Sequence, residues 1–199
     1  MNQLILRITF ALCLVVTLTA FRYDSQVYFL DSSVLYLTGD TNVKGFTCQC
    51  EQKFEPLSYQ MVQQGKSNYQ FSATHMRIPI RSLNCGNRMM NKDLFAALKA
   101  DQYPNIVIEP LSLDMPQLPH DFETWVGLTA KAQVSLAGVT KSILLPVSVC
   151  RLTDDRWKIR SCKTLCMLDF GIDPPTAMAG MIKVSDEIDI HFDFVVRSR

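Results

Sequence analysis

The sequence predicts a mainly β protein with one short helix, its strands closed into an antiparallel barrel or packed as a sandwich. Three observations carry this: a matched alternation over Trp125–Val149, many short strand-like runs at regular spacing, and a single stretch with helical periodicity. In the first, Val126, Leu128, Ala130, Ala132, Val134 and Leu136 share one parity, while Gly127, Thr129, Lys131, Gln133 and Ser135 take the other. Ile143, Leu145, Val147 and Val149 resume the apolar series after a break. A period of two over this length describes a half-buried strand rather than a helix. With Gly138-Val139-Thr140-Lys141 as a four-residue connection, Leu136 is expected to face Ile143, Val134 to face Leu145, Ala132 Val147 and Ala130 Val149. That register gathers the apolar side chains on one face. Pro146 falls on the wet parity and lacks a ladder donor, so a bulge or a sheet edge is expected there.

The other elements follow from local patterns. Gln26–Leu30 and Val34–Thr38 read as strands around an Asp31-Ser32-Ser33 turn, with Gly39-Asp40-Thr41-Asn42 as the next turn. Val43–Phe54 is extended, with Phe46, Cys48 and Cys50 on one parity, and Gln63–Asn68 makes a hairpin tip. In Tyr69–Ile80, Met76, Ile78 and Ile80 alternate with His75, Arg77 and Pro79, and the proline suggests an edge or a bulge. The helix is expected to start from Asn91 as cap, with Asp93 in its first turn and Leu94, Phe95 and Leu98 as its apolar stripe. Lys99 suits its last turn and Tyr103-Pro104 ends it, so that it closes one end of a sheet or lids a cavity. Ile106–Leu113 is the next strand, broken around Met115–Pro119. Trp157–Leu168 lacks a clean alternation, which suggests a bulge or twist near Ser161. Asp173-Pro174-Pro175 forces a loop, and Gly180–Val196 closes the chain with Ile188, Ile190, Phe192 and Phe194 opposed to Asp189, His191 and Asp193.

A length of 199 residues suits one domain, and 48% hydrophobic against 20% charged residues excludes a disordered chain. Met1–Ala20 carries one cation, Arg7, before an apolar run from Ile8 to Phe21 that is short for a membrane span but right for a signal peptide. Residues 1–20 are therefore expected to be a signal peptide and residues 21–199 a single domain, exported to the periplasm or beyond. Without Arg7 the 20 basic residues fall level with the 19 acidic ones, so charge offers no reason for a nucleic-acid partner. Nor does any basic run point to an anionic membrane surface. Loss of Cys13 with the signal leaves Cys48, Cys50, Cys85, Cys150, Cys162 and Cys166. An even number in an exported chain suggests disulfides, of a pairing that spacing does not choose.

Catalytic and metal-binding patterns are missing from the sequence. His75, His120 and His191 lie far apart, and neither Cys48-x-Cys50 nor Cys162-x3-Cys166 has thioredoxin or zinc-finger spacing. No serine elbow, phosphate loop or dinucleotide glycine motif occurs. Asp169-Phe170-Gly171 matches a kinase tripeptide with none of the other kinase parts. An enzyme is not expected, and no metal.

Four features, in this order and spacing, resemble the YceI-like family: an export signal, a helical segment ending in Tyr103-Pro104, the turn Leu136-x-Gly138-Val139-Thr140-Lys141, and Asp169-Phe170-Gly171-Ile172. The resemblance spans about Gln26 to Val196. It implies a lipocalin-like closed antiparallel β-barrel of about eight strands, exported in bacteria. Its apolar bore would hold an isoprenoid or other long-chain apolar lipid, of quinone or polyprenyl type. Ser82–Asn91 departs from better-known members, which carry a His-containing acidic stretch there, so no head-group contacts carry over. The candidate bore residues are Phe95, Leu98, Val126, Leu128, Ala130, Ala132, Val134, Leu136, Ile143, Leu145, Val147 and Phe170. Small Ala130 and Ala132 would leave room for an alkyl tail. No cofactor is expected beyond a bound isoprenoid lipid or quinone, and a membrane matters only as the source of that lipid. The oligomeric state stays open, a homodimer included. Two other readings remain: a disulfide-stapled structural or interaction domain with a self-filled core, and a thiol-redox role for the cysteines.

Overall fold

A computed structural model of the chain describes residues 23–115, 121–177 and 179–198. The expected signal peptide, the break at residues 116–119 and His120 lie outside the described residues. The chain runs as successive antiparallel courses. β1 (Tyr23–Phe29) and β2 (Val34–Thr41) are halves of the first course, and β3 (Phe46–Cys50) and β4 (Leu57–Gln64) are halves of the second. β5 (Asn68–Ser72), β6 (Met76–Pro79) and β7 (Leu83–Asn84) make up the third. Helix α1 (Arg88–Ala97) follows, then β8 (Asn105–Asp114), β9 (Trp125–Leu136), β10 (Val139–Arg151) and β11 (Arg156–Cys166). A short β12 (Thr176–Ala177) leads into the long last strand, β13 (Ile182–Ser198). The ring β1-β4-β5-β8-β9-β10-β11-β13 closes where Val27, Tyr28 and Phe29 pair with Ser198, Arg197 and Val196. The described residues thus form a closed, eight-membered antiparallel β ring with one α-helix.

Its ladder is uneven, and each interruption has a local cause. Between β1 and β2 the Asp31–Ser33 turn lifts the chain off β13. Ser33 bridges the gap: its hydroxyl donates to Val195 O (2.9 Å) and accepts from Val195 N–H (3.1 Å), doing the work of a backbone pair. Gly39 lets β2, β3 and β13 approach, since a Cβ there would stand 2.6 Å from Ile188 Cδ1 and 2.7 Å from Phe46 Cζ. Pro79 ends β6 on a stretch whose ladder partner is β8 alone. Pro146 stays in register with Thr129, and the β10–β11 ladder runs only from Val147 to Arg151. The proline therefore stands where β10 becomes an edge, the second of the two expected options. Ser161, where a bulge or twist was expected, pairs without shift to Phe192; it is the last β11 residue laddered to β10, and its hydroxyl donates to Pro146 O at 2.7 Å. The irregular pattern of β11 reflects the parting of two strands.

The β9–β10 hairpin keeps its predicted face in another register. Its turn is Ala137-Gly138, with φ of 51° and 87°, the left-handed pair a two-residue hairpin turn requires. Ala132 consequently pairs with Ile143, Ala130 with Leu145, Leu128 with Val147 and Val126 with Val149. The shift from the expected pairing is an even number of residues, so the inward parity survives. Alanine at a positive φ carries no sequence signal for such a turn.

Helix α1 also starts earlier than expected. Asn87, not Asn91, is the cap, accepting from Met89 N–H (2.8 Å) and Met90 N–H (3.3 Å). Asn91 sits inside the helix and pins the incoming chain, accepting from Cys85 N–H (2.8 Å) and donating to Asn84 Oδ1 (3.1 Å). Asp93 accordingly lies beyond the first turn.

Two apolar clusters fill the ring. The larger includes Leu35, Ile78, Ile80, Leu83, Val134, Phe170, Ile172, Phe194 and Val196, and the smaller centres on Met115, Leu128 and Val149. Replacement of the bridging serine, Ser33→Ala, removes two half-buried hydrogen bonds at the closing seam and is expected to cost about 1–2 kcal/mol in urea unfolding.

Candidate functional site

An apolar cavity of about 240 Å³ lies at one end of the ring. β13 supplies one wall through Ile182, Val184, Ile188 and Ile190, because alternate residues of a strand share a face. Leu37 of β2 and Phe46 and Cys48 of β3 make the next wall. Leu94 of α1 and Leu98 at its C-terminal cap cover it, spaced about one helical turn apart. Leu136, Leu165, Phe170 and Ile172 line it where β10 and β11 part. Polar groups are few: Thr41, Lys44, Asp93, Cys166 and Thr176.

Of the twelve bore candidates, the cavity takes in Leu98, Leu136 and Phe170. Val134, Ile143 and Phe95 belong to the larger packed cluster, and Arg81 lies over the Phe95 ring at 5.4 Å. Val126, Leu128 and Val147 belong to the smaller cluster. Ala130, Ala132 and Leu145 sit between these groups on the inward parity, outside the cavity lining. The inward side chains of β9 and β10 fall mostly in the two packed clusters, whereas those of β13 also reach the space under the helix. Sequence reading missed β13 because its alternation was as regular as that of β9 and nothing ranked the two. It missed the 41–46 loop because loop residues follow no periodicity.

The cysteines divide. Cys48 is bonded to Cys85, directly tying β3 to the segment that launches α1, and both residues line the cavity. Cys50, Cys150, Cys162 and Cys166 are free thiols, which corrects the expectation of bonding for these four. Cys50 and Cys150 are buried, and the Cys50 thiol lies 3.3 Å from Ser82 Oγ. Cys162 and Cys166 are four residues apart on extended β11, roughly 13 Å at the strand rise, too far to join.

Cys166 has a different task. Its thiol donates to Asp186 Oδ2 at 2.6 Å, while Asp186 Oδ1 accepts from Leu168 N–H at 2.9 Å. The hydrogen bond to Asp186 raises the Cys166 thiol above its usual range, and the same bond, with that from Leu168, lowers the Asp186 carboxyl. The sign follows for each partner. The carboxylate's contribution is present above the ordinary carboxylate range and lost as acid protonates Asp186. The thiol's contribution is present below the ordinary thiol range and lost as alkali ionises Cys166. The loop carrying Phe170 is therefore best anchored near neutrality. Asp186→Asn is expected to bring the Cys166 thiol back towards its ordinary range and speed its alkylation at mildly alkaline pH several-fold, read by mass spectrometry.

The widely spaced motifs meet at this end. Gly138, at φ 87°, lies against the Tyr103 ring, whose Cζ would be 2.5 Å from a Cβ at that glycine. Lys141 Nζ pairs with Asp169 Oδ1 at 3.0 Å, across the gap between β10 and β11. Gly171, also left-handed, faces Val139. Phe170 and Ile172 then turn inward, 2% and 1% exposed. The Gly138 turn, the tyrosine that follows the helix and the Asp-Phe-Gly-Ile loop are thus one packed unit beneath the cavity.

The profile of the YceI-like domain matches residues 24–196. The chain belongs to the YceI-like family. Among solved structures, this YceI-like protein is similar to a polyisoprenoid-binding domain from Saccharophagus degradans, described as implicated in plant cell wall breakdown. There the identity is 14%, with 88% of this chain and 98% of that one covered at a TM-score of 0.60. It is also similar to BcnA of Burkholderia cenocepacia, at 15% identity, 82% and 95% coverage and a TM-score of 0.59. At such identities the likeness speaks for the YceI-like fold. No curated protein sequence matches the chain.

His75 and His191 lie outside the cavity lining. His75 stands 3.9 Å from Glu109 at the surface. His191 stacks on Tyr36 with 4.5 Å between ring centres and contacts Thr38 Oγ1 at 3.2 Å. Among the described residues no three His, Cys, Asp or Glu side chains gather as a metal site would require.

Gly138→Ala is expected to displace Tyr103 and lower stability by about 2 kcal/mol, from left-handed strain plus the lost close approach. Gly65→Ala, where φ is 77° and no atom crowds the new Cβ, should show only the strain, and thermal melts compare the two.

Proposed function

We propose that the protein is an exported, non-catalytic carrier that holds an isoprenoid or other long-chain apolar lipid, of quinone or polyprenyl type, in this cavity. The observation that carries the reading is the cavity itself: some 240 Å³ bounded almost wholly by aliphatic and aromatic side chains, in a YceI-like chain. Apolar cavities of about 150 Å³ already bind a benzene ring, so this one has room for a branched alkyl segment. Each CH₂ taken from water contributes about 0.8 kcal/mol, and a few isoprene carbons suffice for useful retention. The polyisoprenoid-binding description of a structural neighbour supports the same class of ligand. A disulfide between Cys48 and Cys85 suits an oxidising compartment and so supports export. A domain filled entirely by its own side chains would have no reason to keep an apolar space open under a helix.

The test is extraction. Protein purified from its own host is expected to release an apolar lipid into organic solvent, identified by mass spectrometry. Val184→Phe, which fills the cavity wall, should reduce the recovered lipid severalfold while near-ultraviolet circular dichroism stays native. A native protein that yields no lipid and takes up no added polyprenol would sink the reading.

A further inference from the structure

We propose that the rim of the cavity mouth docks on an anionic lipid bilayer, the surface from which the apolar ligand is drawn. The proposal rests on the carrier reading above and adds a surface to it. Soluble domains expose single apolar residues freely, but their distribution here is uneven. Among the described residues the three most exposed large apolar side chains are Met89, Val43 and Met181, at 68%, 67% and 66%. All three belong to segments that frame one opening. Val43 lies in the loop after β2 and itself lines the mouth. Met181 precedes Ile182, another lining residue, and Met89 precedes Met90, which faces the mouth from α1.

The first two segments are laced together. Asn42 Nδ2 donates to Met181 O at 2.9 Å, Asn42 Oδ1 accepts from Lys183 N–H at 2.9 Å, and Asn42 N–H donates to Lys183 O at 3.1 Å. Val43 and Met181 are thereby presented by one fixed double loop. On the helix, Met90, Asp93 and Leu94 point into the cavity, which leaves Met89 about 100° round to one side of Met90, with Lys92 next to it in the following turn and turned farther towards solvent.

Charge identifies the partner. Lys44, Arg88, Lys92 and Lys183 are exposed beside these apolar tips, and among the described residues none of them has an ion-pair partner. Asp93 lines the mouth, while Asp40, Glu187 and Asp189 gather in an adjoining polar recess that shares Gly45 and Phe46 with it. Apolar tips flanked by unpaired cations are the pattern of an interfacial anchor, with methyl and thioether groups in the acyl boundary and ammonium groups among anionic head groups. The four cations are scattered through the sequence, which is why no basic run announced them. Docked this way, the cavity mouth opens towards hydrocarbon, and a lipid tail could enter without crossing water.

The experiment is vesicle flotation, using protein purified from an exporting host in the form that host leaves it. Vesicles of phosphatidylcholine alone are compared with vesicles of equal parts phosphatidylcholine and phosphatidylglycerol. Binding to the anionic vesicles is expected to be about tenfold stronger and to collapse in high salt. Met89→Ser with Met181→Ser, and separately Lys92→Gln with Lys183→Gln, should each weaken it at least severalfold. Uptake of farnesol from solution, followed by mass spectrometry, runs beside it and separates the two ideas. Normal farnesol uptake with no vesicle binding, or with binding that neither double variant changes, overturns the docking proposal and leaves the carrier reading standing. Rim-dependent vesicle binding with no farnesol uptake supports the docking surface and removes the carrier reading.

Discussion

β13 is paired on both edges, with β11 along one side and with the β1–β2 course along the other, and this double pairing closes the ring. Closure removes the central sheet's free edges, which would otherwise invite association with other chains. It also creates an obligation, since the inside of an eight-membered ring must hold either side chains or a ligand. At one end the obligation is met by Met115, Leu128, Val149 and their neighbours. At the other, β10 and β11 part beyond Val147 and Ser161, and the ring widens. The 168–172 loop turns Phe170 and Ile172 into the widened end, and Lys141 and Asp169 tie its outside. What remains between that plug and α1 is the cavity.

The chemistry of the space is set as much by what holds its boundaries as by what faces it. α1 is fixed at its start by Asn87, Asn91 and the Cys48–Cys85 bond. Beyond its end, Tyr103 meets Gly138. The floor loop hangs on Asp186, which takes a thiol and a backbone N–H at once. Polar side chains near the cavity mostly serve these attachments, and the interior is left to hydrocarbon. For the ligand proposed above, such a lining would select by length, branching and volume far more than by functional group.

The amino-acid order carried the fold class, the single helix and the inward face of the β9–β10 hairpin, because a period of two or 3.6 is visible without contacts. The motif around Gly138 and Asp169-Phe170-Gly171-Ile172 carried the family, although not the fact that its pieces touch. The hairpin register escaped because an alanine at φ 51° imitates an ordinary strand residue. The helix start escaped because Asn91, the expected cap, carries the same side chain as Asn87, and only the fold shows which one the backbone amides choose. The cavity wall escaped for a third reason. Alternation tells which face of a strand is apolar but not which apolar faces are left without neighbours, and that depends on where β10 and β11 separate. Disulfide pairing was likewise a matter of three-dimensional proximity, and parity alone could not separate Cys48 from Cys50.

The Cys48–Cys85 bond deserves a different reading from the usual one of added stability. Its cross-link spans 37 residues, which a chain-entropy treatment values at about 4 kcal/mol. Both of its ends belong to the cavity wall, so the bond also limits how far the roof can swing from β3. Thiol reductants would therefore change the container and not merely its melting point. Preparations made with and without them would then be two different vessels, and any difference in the lipid proposed above would report on how firmly the roof is held.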